Sequence, residues 1–482
     1  MLCDRRLLMY KIRRRGSRTL FALVTLVLLI CIIFFNNMMP TDNTGSQSAS
    51  FSPHVDSRKA RLADVKGGCD CDRQQPPPAR NQPLPARNQP LPARNQPPPA
   101  RNQPPPARNQ TPDVHTLLSF PPMQYSEGID DPFFDNAHLF PCTQPNGSLP
   151  GQIEDLMCIP RPSYLPGYKN PCFHDQKLQL YCMPYYNILG FDKCGTTDLS
   201  MRLLLHPSVL KCHGYLYKEV YYWGWRRYGL FMKKELPIMS LEGYAFVFSN
   251  ASEVISPLAG QANQPIVGDG GPVDAWDFRG WPLDPQNRGL SEPKVLAPQN
   301  MRHILKEPRF IILMRDPVER LYSDYFFLKY GDSPERFARH ARTAVEMMNE
   351  CLKVNTTRQC FFSGDLYMKT PTRLHIGCYS VFLREWLSVF HRKHFFFLRS
   401  EDYNKDIKGS LRAVFAFLGI DTLPDSLMDD IVDRDRYLQN EKKNLAGRMF
   451  ADTRKMLQDF YEPCNRDLAE LLGSEKYLWR DT

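Results

Sequence analysis

The chain has 482 residues, a formal net charge of +9, 42 prolines and 14 cysteines, enough length for two or three domains. The charge is unevenly spread: residues 1–19 hold seven Arg or Lys against Asp4, residues 42–112 hold ten against five Asp, and the rest sums to −2. A near-neutral globular part excludes a polyanion-binding surface over the whole fold, nucleic acid included, and confines any site for an acidic substrate to a local cluster.

Residues 1–19 read as a basic cytosolic tail. Leu20–Phe35 is apolar apart from Thr25 and Cys31 and extends to Met39 through Asn36 and Asn37, which makes 20–39 a short transmembrane helix. Basic residues precede it and Asp42 is the first charge beyond it, so the remainder is carried across the membrane. The run ends in Asn-Asn-Met-Met-Pro with no small-residue cleavage site, which favours a retained signal anchor over a cleaved peptide. A short span suits a thin early-secretory membrane. The expectation is a single-pass type II Golgi protein with a lumenal globular part.

Twelve of the cysteines lie beyond the anchor, in what is then an oxidising compartment. Cys351 and Cys360 bracket a loop holding the sequon Asn355-Thr356-Thr357, which reads as a disulfide closing a glycosylated surface loop. Asn146 and Asn250 head two more sequons. No His/Cys grouping has zinc spacing, so no metal is expected.

Residues 40–113 form a stem in which a seven-residue unit recurs, as in Arg80-Asn-Gln-Pro-Leu-Pro-Ala86. Proline in every unit forbids a coiled coil and leaves extended polyproline II, a semi-rigid spacer. Cys69 and Cys71 are too close for an easy mutual bridge and offer a link between two chains, hence a homodimer through the stem. Residues 114–184, with Cys142, Cys158, Cys172 and Cys182, read as a disulfide-tied lead-in whose pairing spacing alone does not give.

From 185 to 482 strands alternate with helices, which implies an α/β, three-layer domain around a central parallel sheet. Tyr186–Leu189 is a buried strand, Gly190–Gly195 a glycine-bounded loop, and Thr196-Thr197-Asp198 open a helix. Such a loop cradles anions on helix N–H groups. It approaches a P-loop, but the lysine stands inside it at Lys193, which argues against a simple nucleoside triphosphate. Lys218-Glu219 and the following Trp223, Arg226 and Arg227 mix rings with cations, suited to a sugar chain carrying sulfate or carboxylate; a partly buried aromatic loop with solvated charges is the competing reading. Tyr244–Ser249 reads as a strand. So does Arg309–Arg315, which leads into Asp316 as N-cap, Pro317 at the first helical position and Glu319 as capping-box residue. Arg315 thus stands where open α/β sheets bind ligands, and Ser323 lies two turns into the helix. Ile376, Tyr379, Phe382, Leu383, Trp386 and Phe390 mark a further helix, His394–Leu398 a strand, and Leu411–Leu418 and Thr453–Leu472 helices.

GFDKCGTT and RFIILMRDPVERLYSDY together resemble the sulfotransferase fold family that uses 3′-phosphoadenosine 5′-phosphosulfate. KCGTTDL, the Lys218 segment, RDPVERLYSDY and DFYEPCNRDLAELL look most like the Golgi N-acetylgalactosamine 4-sulfate 6-O-sulfotransferases. The resemblance implies a glycosaminoglycan acceptor, chondroitin or dermatan sulfate, and no metal. It makes Lys193 and Glu219 catalytic, the first stabilising the bridging oxygen and the second acting as general base. Lys193, Cys194, Gly195, Thr196 and Thr197 would form the phosphosulfate loop, Arg315 and Ser323 would hold the 3′-phosphate, and Tyr379 would lie by the nucleotide. Lys218, Trp223, Arg226 and Arg227 are the acceptor-side candidates. The chain departs from the family pattern at two places: Asp192 inside the anion loop, and Val220-Tyr221 where relatives have Pro-His. A lumenal kinase-like enzyme, a sulfotransferase for heparan sulfate or another glycan, and a catalytically silent glycan-binding protein are the alternatives.

Overall fold

The computed structural model describes residues 117–118, 120–131, 137–149, 151–438, 443 and 446–480. The tail, the apolar span, the repeat and the stem cysteines lie outside them. Among the described residues no helix is long and apolar enough to cross a membrane.

Nine short strands occur among these residues: β1 Cys172–His174, β2 Leu180–Cys182, β3 Tyr186–Ile188, β4 Val209–Leu210, β5 Leu230–Phe231, β6 Lys234–Glu235, β7 Ile266–Asp269, β8 Arg309–Met314 and β9 Phe395–Arg399. Five make the central sheet in the order β4-β7-β3-β8-β9, and every pairing in it is parallel. The sequence of β8, RFIILM, is apolar after its first residue, as expected for a parallel strand covered on both faces; Phe310 to Met314 are fully buried. β3 lies between β7 and β8, so the chain leaves the sheet centre in one direction toward β4 and in the other toward β9. The carboxyl ends of such switch points open a crevice.

The helices among the described residues include α1 Thr196–Leu203, α2 Leu241–Phe246, α3 Ser249–Ile255, α4 Ala297–Ile304, α5 Pro317–Phe327, α6 Pro334–Leu352, α7 Tyr379–Leu387, α8 Ser400–Lys405, α9 Ile407–Leu418 and α10 Ala451–Leu472. Asp316 caps α5 by accepting from Val318 N and Glu319 N. Glu319 does not close a capping box: its oxygens accept from Lys443 and Arg454.

The expected strand at Tyr244–Ser249 is instead the end of α2 and the start of α3. Ser240 caps α2 through Gly243 N at 3.0 Å, and Tyr244, Ala245, Phe248, Ala251, Ser252 and Ile255 are buried at three- and four-residue steps, which is helical periodicity. The strand that fills this part of the sheet is β7, whose four residues IVGD precede a Gly-Gly-Pro turn.

Cys351 and Cys360 are bonded as expected. The lead-in is tied by Cys142–Cys158 and by Cys172–Cys182, which staples β1 to β2. It docks on the C-terminal end of α4, where Tyr164 donates to Ile304 O at 2.6 Å and Arg161 to Arg302 O at 2.8 Å. The sequon asparagines Asn146, Asn250 and Asn355 are all exposed, but Ser252 of the second is buried and donates to Phe248 O.

Cys378, the residue before α7, is bonded to Cys464 in α10 across 86 residues. Loop-closure entropy for such a separation gives on the order of 3–5 kcal/mol. Replacing both cysteines by serine should lower the melting temperature clearly in calorimetry. An unchanged melting temperature would show that packing of α7 on α10 suffices without the bond.

Candidate functional site

β3 ends beside β8, and the ladder continues past it: Leu189 N–H donates to Ile311 O and Phe191 N–H to Leu313 O. Gly190 sits in this seam, where a Cβ would come within 2.6 Å of Thr196 Cγ2 and 3.0 Å of Leu313 N. Phe191 is buried, its ring 4.5 Å from that of Tyr379, so the loop is pinned at its start. Lys193 then takes a left-handed backbone (φ 66°). Gly195 (φ 90°) is the N-cap of α1 and has no side chain of its own to bond over the helix end. The first amides of α1 and its positive dipole end therefore face the loop.

Lys193 is half-buried with Nζ 3.5 Å from the centre of the Phe327 ring. Burial pulls its ammonium below the ordinary lysine range, against the carboxylates of Asp324 and Asp192. Asp192 does not leave a bare negative charge in the loop. Its Oδ2 accepts from Trp276 Nε1 at 2.9 Å, and its Oδ1 lies 3.5 Å from the guanidinium of Arg373. Arg373 is bound in turn to the buried Asp324.

At the end of β8, Arg315 reaches Lys193 O at 3.5 Å and Glu319 at 3.7 Å. Burial pushes the Glu319 carboxyl up, yet hydrogen bonds from Lys443 and Arg454 outweigh it and hold it at about 2. A depressed carboxyl stabilises the folded state above its unfolded value and loses that contribution as the pH falls from about 4.5 toward about 2.

Glu219 comes from a turn held by the sheet. Gly270 N–H, just past β7, donates to Lys218 O at 2.6 Å, and Val220 N–H donates to Asp269 Oδ1 at 3.2 Å. The Glu219 carboxylate accepts from Lys218 Nζ on one oxygen and from the Tyr221 hydroxyl on the other. Burial lowers the Lys218 ammonium to about 7 against the pull of Asp269 and Asp192.

The segments that follow β3, β4 and β8 thus converge on one cavity of about 1040 Å³. Lys193, Cys194, Gly195, Thr196, Thr197, Glu219, Arg226, Arg315 and Ser323 all line it. Four expected site residues do not. Tyr379 is buried beneath the loop, donating to Arg315 O at 2.7 Å, so it supports the site from below. Lys218 turns inward to Glu219 and Gly270 O. Trp223 is a core residue whose indole N–H donates to the Tyr244 hydroxyl, and Arg227 is buried against Asp284 at 3.2 Å. Trp223 fits the reading of a buried aromatic loop, but Arg227 is buried in an ion pair and not solvated as that reading has it, and Arg226 alone of the pair of arginines reaches the cavity.

Sequence reading missed His213, Tyr215, Asn404, Arg436 and Tyr437, which also line the cavity. Arg436 and Tyr437 are brought in by Asp198 of α1, which accepts from Tyr437 N at 3.0 Å, Tyr403 OH at 2.7 Å and Arg202 at 2.9 Å. That contact spans 239 residues, and no local pattern announces it.

A family model described as a sulfotransferase domain matches residues 186–450, the interval that holds all three loops. The chain belongs to the sulfotransferase family. This sulfotransferase-family chain is 32% identical over 326 residues to carbohydrate sulfotransferase 15 of Homo sapiens, an alignment covering 64% of it and 57% of the relative. It therefore spans little more than half the length of that curated relative. Carbohydrate sulfotransferase 15 of Nototodarus sloanii is 30% identical over 141 residues, 29% of this chain and 87% of that protein. The crystal structure of a sulfotransferase from Alicyclobacillus acidocaldarius aligns over 62% of this chain and 99% of its own at 19% identity, with a TM-score of 0.37.

Asp192 yields a direct test. Asp192→Ala removes an acceptor from the Trp276 indole and a partner from Arg373, which should loosen the loop and weaken binding of adenosine 3′,5′-bisphosphate about tenfold, ~1.4 kcal/mol. Asp192→Asn keeps an oxygen for Trp276 and should retain most of the affinity in titration calorimetry. Wild-type affinity in the alanine variant would mean that the carboxylate does not hold the loop.

Proposed function

We propose that this protein transfers a sulfuryl group from 3′-phosphoadenosine 5′-phosphosulfate to a sugar hydroxyl of a glycosaminoglycan, the 6-hydroxyl of N-acetylgalactosamine 4-sulfate in chondroitin or dermatan sulfate. The observation that carries this reading is that Lys193 and Glu219, from separate loops, line one cavity together with Arg315 and Ser323. The residues present fit an adenylyl phosphosulfate: Gly195 leaves the start of α1 uncovered, and a Cβ there would meet nothing within 4 Å. Thr196 and Thr197 would present amides to it, Lys193 and Arg315 would supply cations, and Ser323 would offer a hydroxyl. When bound, the cosubstrate supplies a sulfuryl group activated by a phosphate leaving group.

The chain's own residues account for the rest. Glu219 is positioned to take the proton of an incoming hydroxyl, and Lys218 and Tyr221 fix the orientation of its carboxylate. The Lys193 ammonium is available to neutralise charge that develops on a departing phosphate oxygen. Names of the relatives support a glycan acceptor, and the 20–39 segment supports a type II anchor in the Golgi membrane. The test is incubation of the purified protein with labelled phosphosulfate and a panel of chondroitin, dermatan and heparan acceptors, followed by disaccharide analysis. Labelling at the 6-position of 4-sulfated N-acetylgalactosamine is the expected result. Transfer only to heparan would redirect the acceptor assignment, and no transfer to any acceptor by folded protein would refute the reading.

A further inference from the structure

Besides the residues already assigned, the cavity is walled by Tyr215, Tyr221, Arg226 and Phe231. Arg226 differs from Arg315 and Lys218. Arg315 leans on Glu319 and Lys218 on Glu219, whereas the Nε of Arg226 is buried with no hydrogen-bond partner among the described residues. Its backbone is fixed at both polar groups: Arg226 N–H donates to Tyr221 O at 2.8 Å, and Met239 N–H donates to Arg226 O at 2.9 Å. A guanidinium whose Nε is buried in a cavity wall without a hydrogen-bond partner among the described residues carries a desolvation cost that an incoming anion offsets.

Tyr215 lines the same cavity yet is 66% exposed. It is tied to Glu219 by reciprocal backbone hydrogen bonds of 2.8 and 2.9 Å, so its ring and the carboxylate share one rigid turn. Leu216 (φ 52°) and Tyr217 (φ 59°) both hold left-handed backbone to make that turn, a strained arrangement for residues with side chains and one that clusters at functional sites. An exposed ring beside a cavity suits a ligand with an apolar face and polar rim, which a pyranose has.

We infer that Arg226 and Tyr215 form an acceptor subsite for an anionic sugar. The guanidinium pairs with a sulfate or carboxylate of the glycan, and the phenol ring packs against a sugar face so that a hydroxyl is offered to Glu219. This rests on the sulfuryl-transfer reading for its purpose, and its test is binding, read without turnover. The full chain, saturated with adenosine 3′,5′-bisphosphate, is titrated with a sulfated chondroitin hexasaccharide and with its desulfated, carboxyl-reduced counterpart. Wild type should prefer the anionic glycan. Arg226→Gln should weaken that binding about tenfold and leave the neutral glycan within about twofold. Tyr215→Ala should weaken both and Tyr215→Trp restore them. Nucleotide affinity should be unchanged in every variant. Wild-type affinity of Arg226→Gln for the sulfated glycan overturns the inference, as does an equal loss of nucleotide binding, which would assign Arg226 to the nucleotide. A protein that binds in this pattern but sulfates no acceptor would refute the transfer reading while leaving the subsite standing.

Discussion

Glu219→Gln should lower turnover by about 10²–10⁴-fold, the range for loss of a positioned general base, and leave the affinity for adenosine 3′,5′-bisphosphate within a few-fold of wild type. The separation of effects follows from the geometry. Glu219 belongs to the turn that β7 holds, through Gly270 and Asp269, whereas the anion-facing amides belong to the loop between β3 and α1. The amide side chain is nearly isosteric and can still accept from one neighbour, Lys218 or Tyr221. It cannot hold a proton taken from a hydroxyl. Thermal unfolding of the same sample guards the interpretation, because Lys218 is 3% exposed and loses part of its charge balance. Substantial loss of nucleotide binding would reassign Glu219 to a structural role.

Lys193→Ala should damage both steps, lowering turnover by about 10²–10³-fold and weakening nucleotide binding. Burial pulls the Lys193 ammonium below its ordinary range, so the charge is held at a disadvantage. An arriving anion reverses that and raises the proton affinity of the amine. Lys193→Arg should not restore wild-type rates, since a planar guanidinium cannot replace a compact ammonium seated 3.5 Å over the Phe327 ring. An unaffected rate in the alanine variant would refute the role given to Lys193.

Much of the cavity could be read from the chain because its parts are local. A strand, a glycine loop and a helix start are contiguous in Tyr186–Leu203, and the same holds for β8, Asp316 and α5. The residues that misled did so for one physical reason. Trp223, Arg226 and Arg227 are neighbours in sequence, and only tertiary packing decides that Trp223 and Arg227 go inward while Arg226 faces the cavity. Tyr244–Ser249 likewise carries enough rings to pass for a strand until Ser240 caps it as helix. Asp192 departs from the family pattern inside an anion loop, and the partners that balance it, Trp276 and Arg373, lie far along the chain. The closing residues around Arg436 depend on the buried Asp198 and leave no trace in local pattern.

The bridge between Cys378 and Cys464 bears on how the protein should be made. Cys378 precedes Tyr379, and Tyr379 holds the carbonyl of Arg315 from below. A host that keeps thiols reduced would deliver chains whose sheet is intact by spectroscopy but whose Arg315 rests on an untethered support. Weak nucleotide binding in material from a bacterial cytosol would then report the redox history of the preparation, and secretion through an oxidising pathway is the route to an active sample.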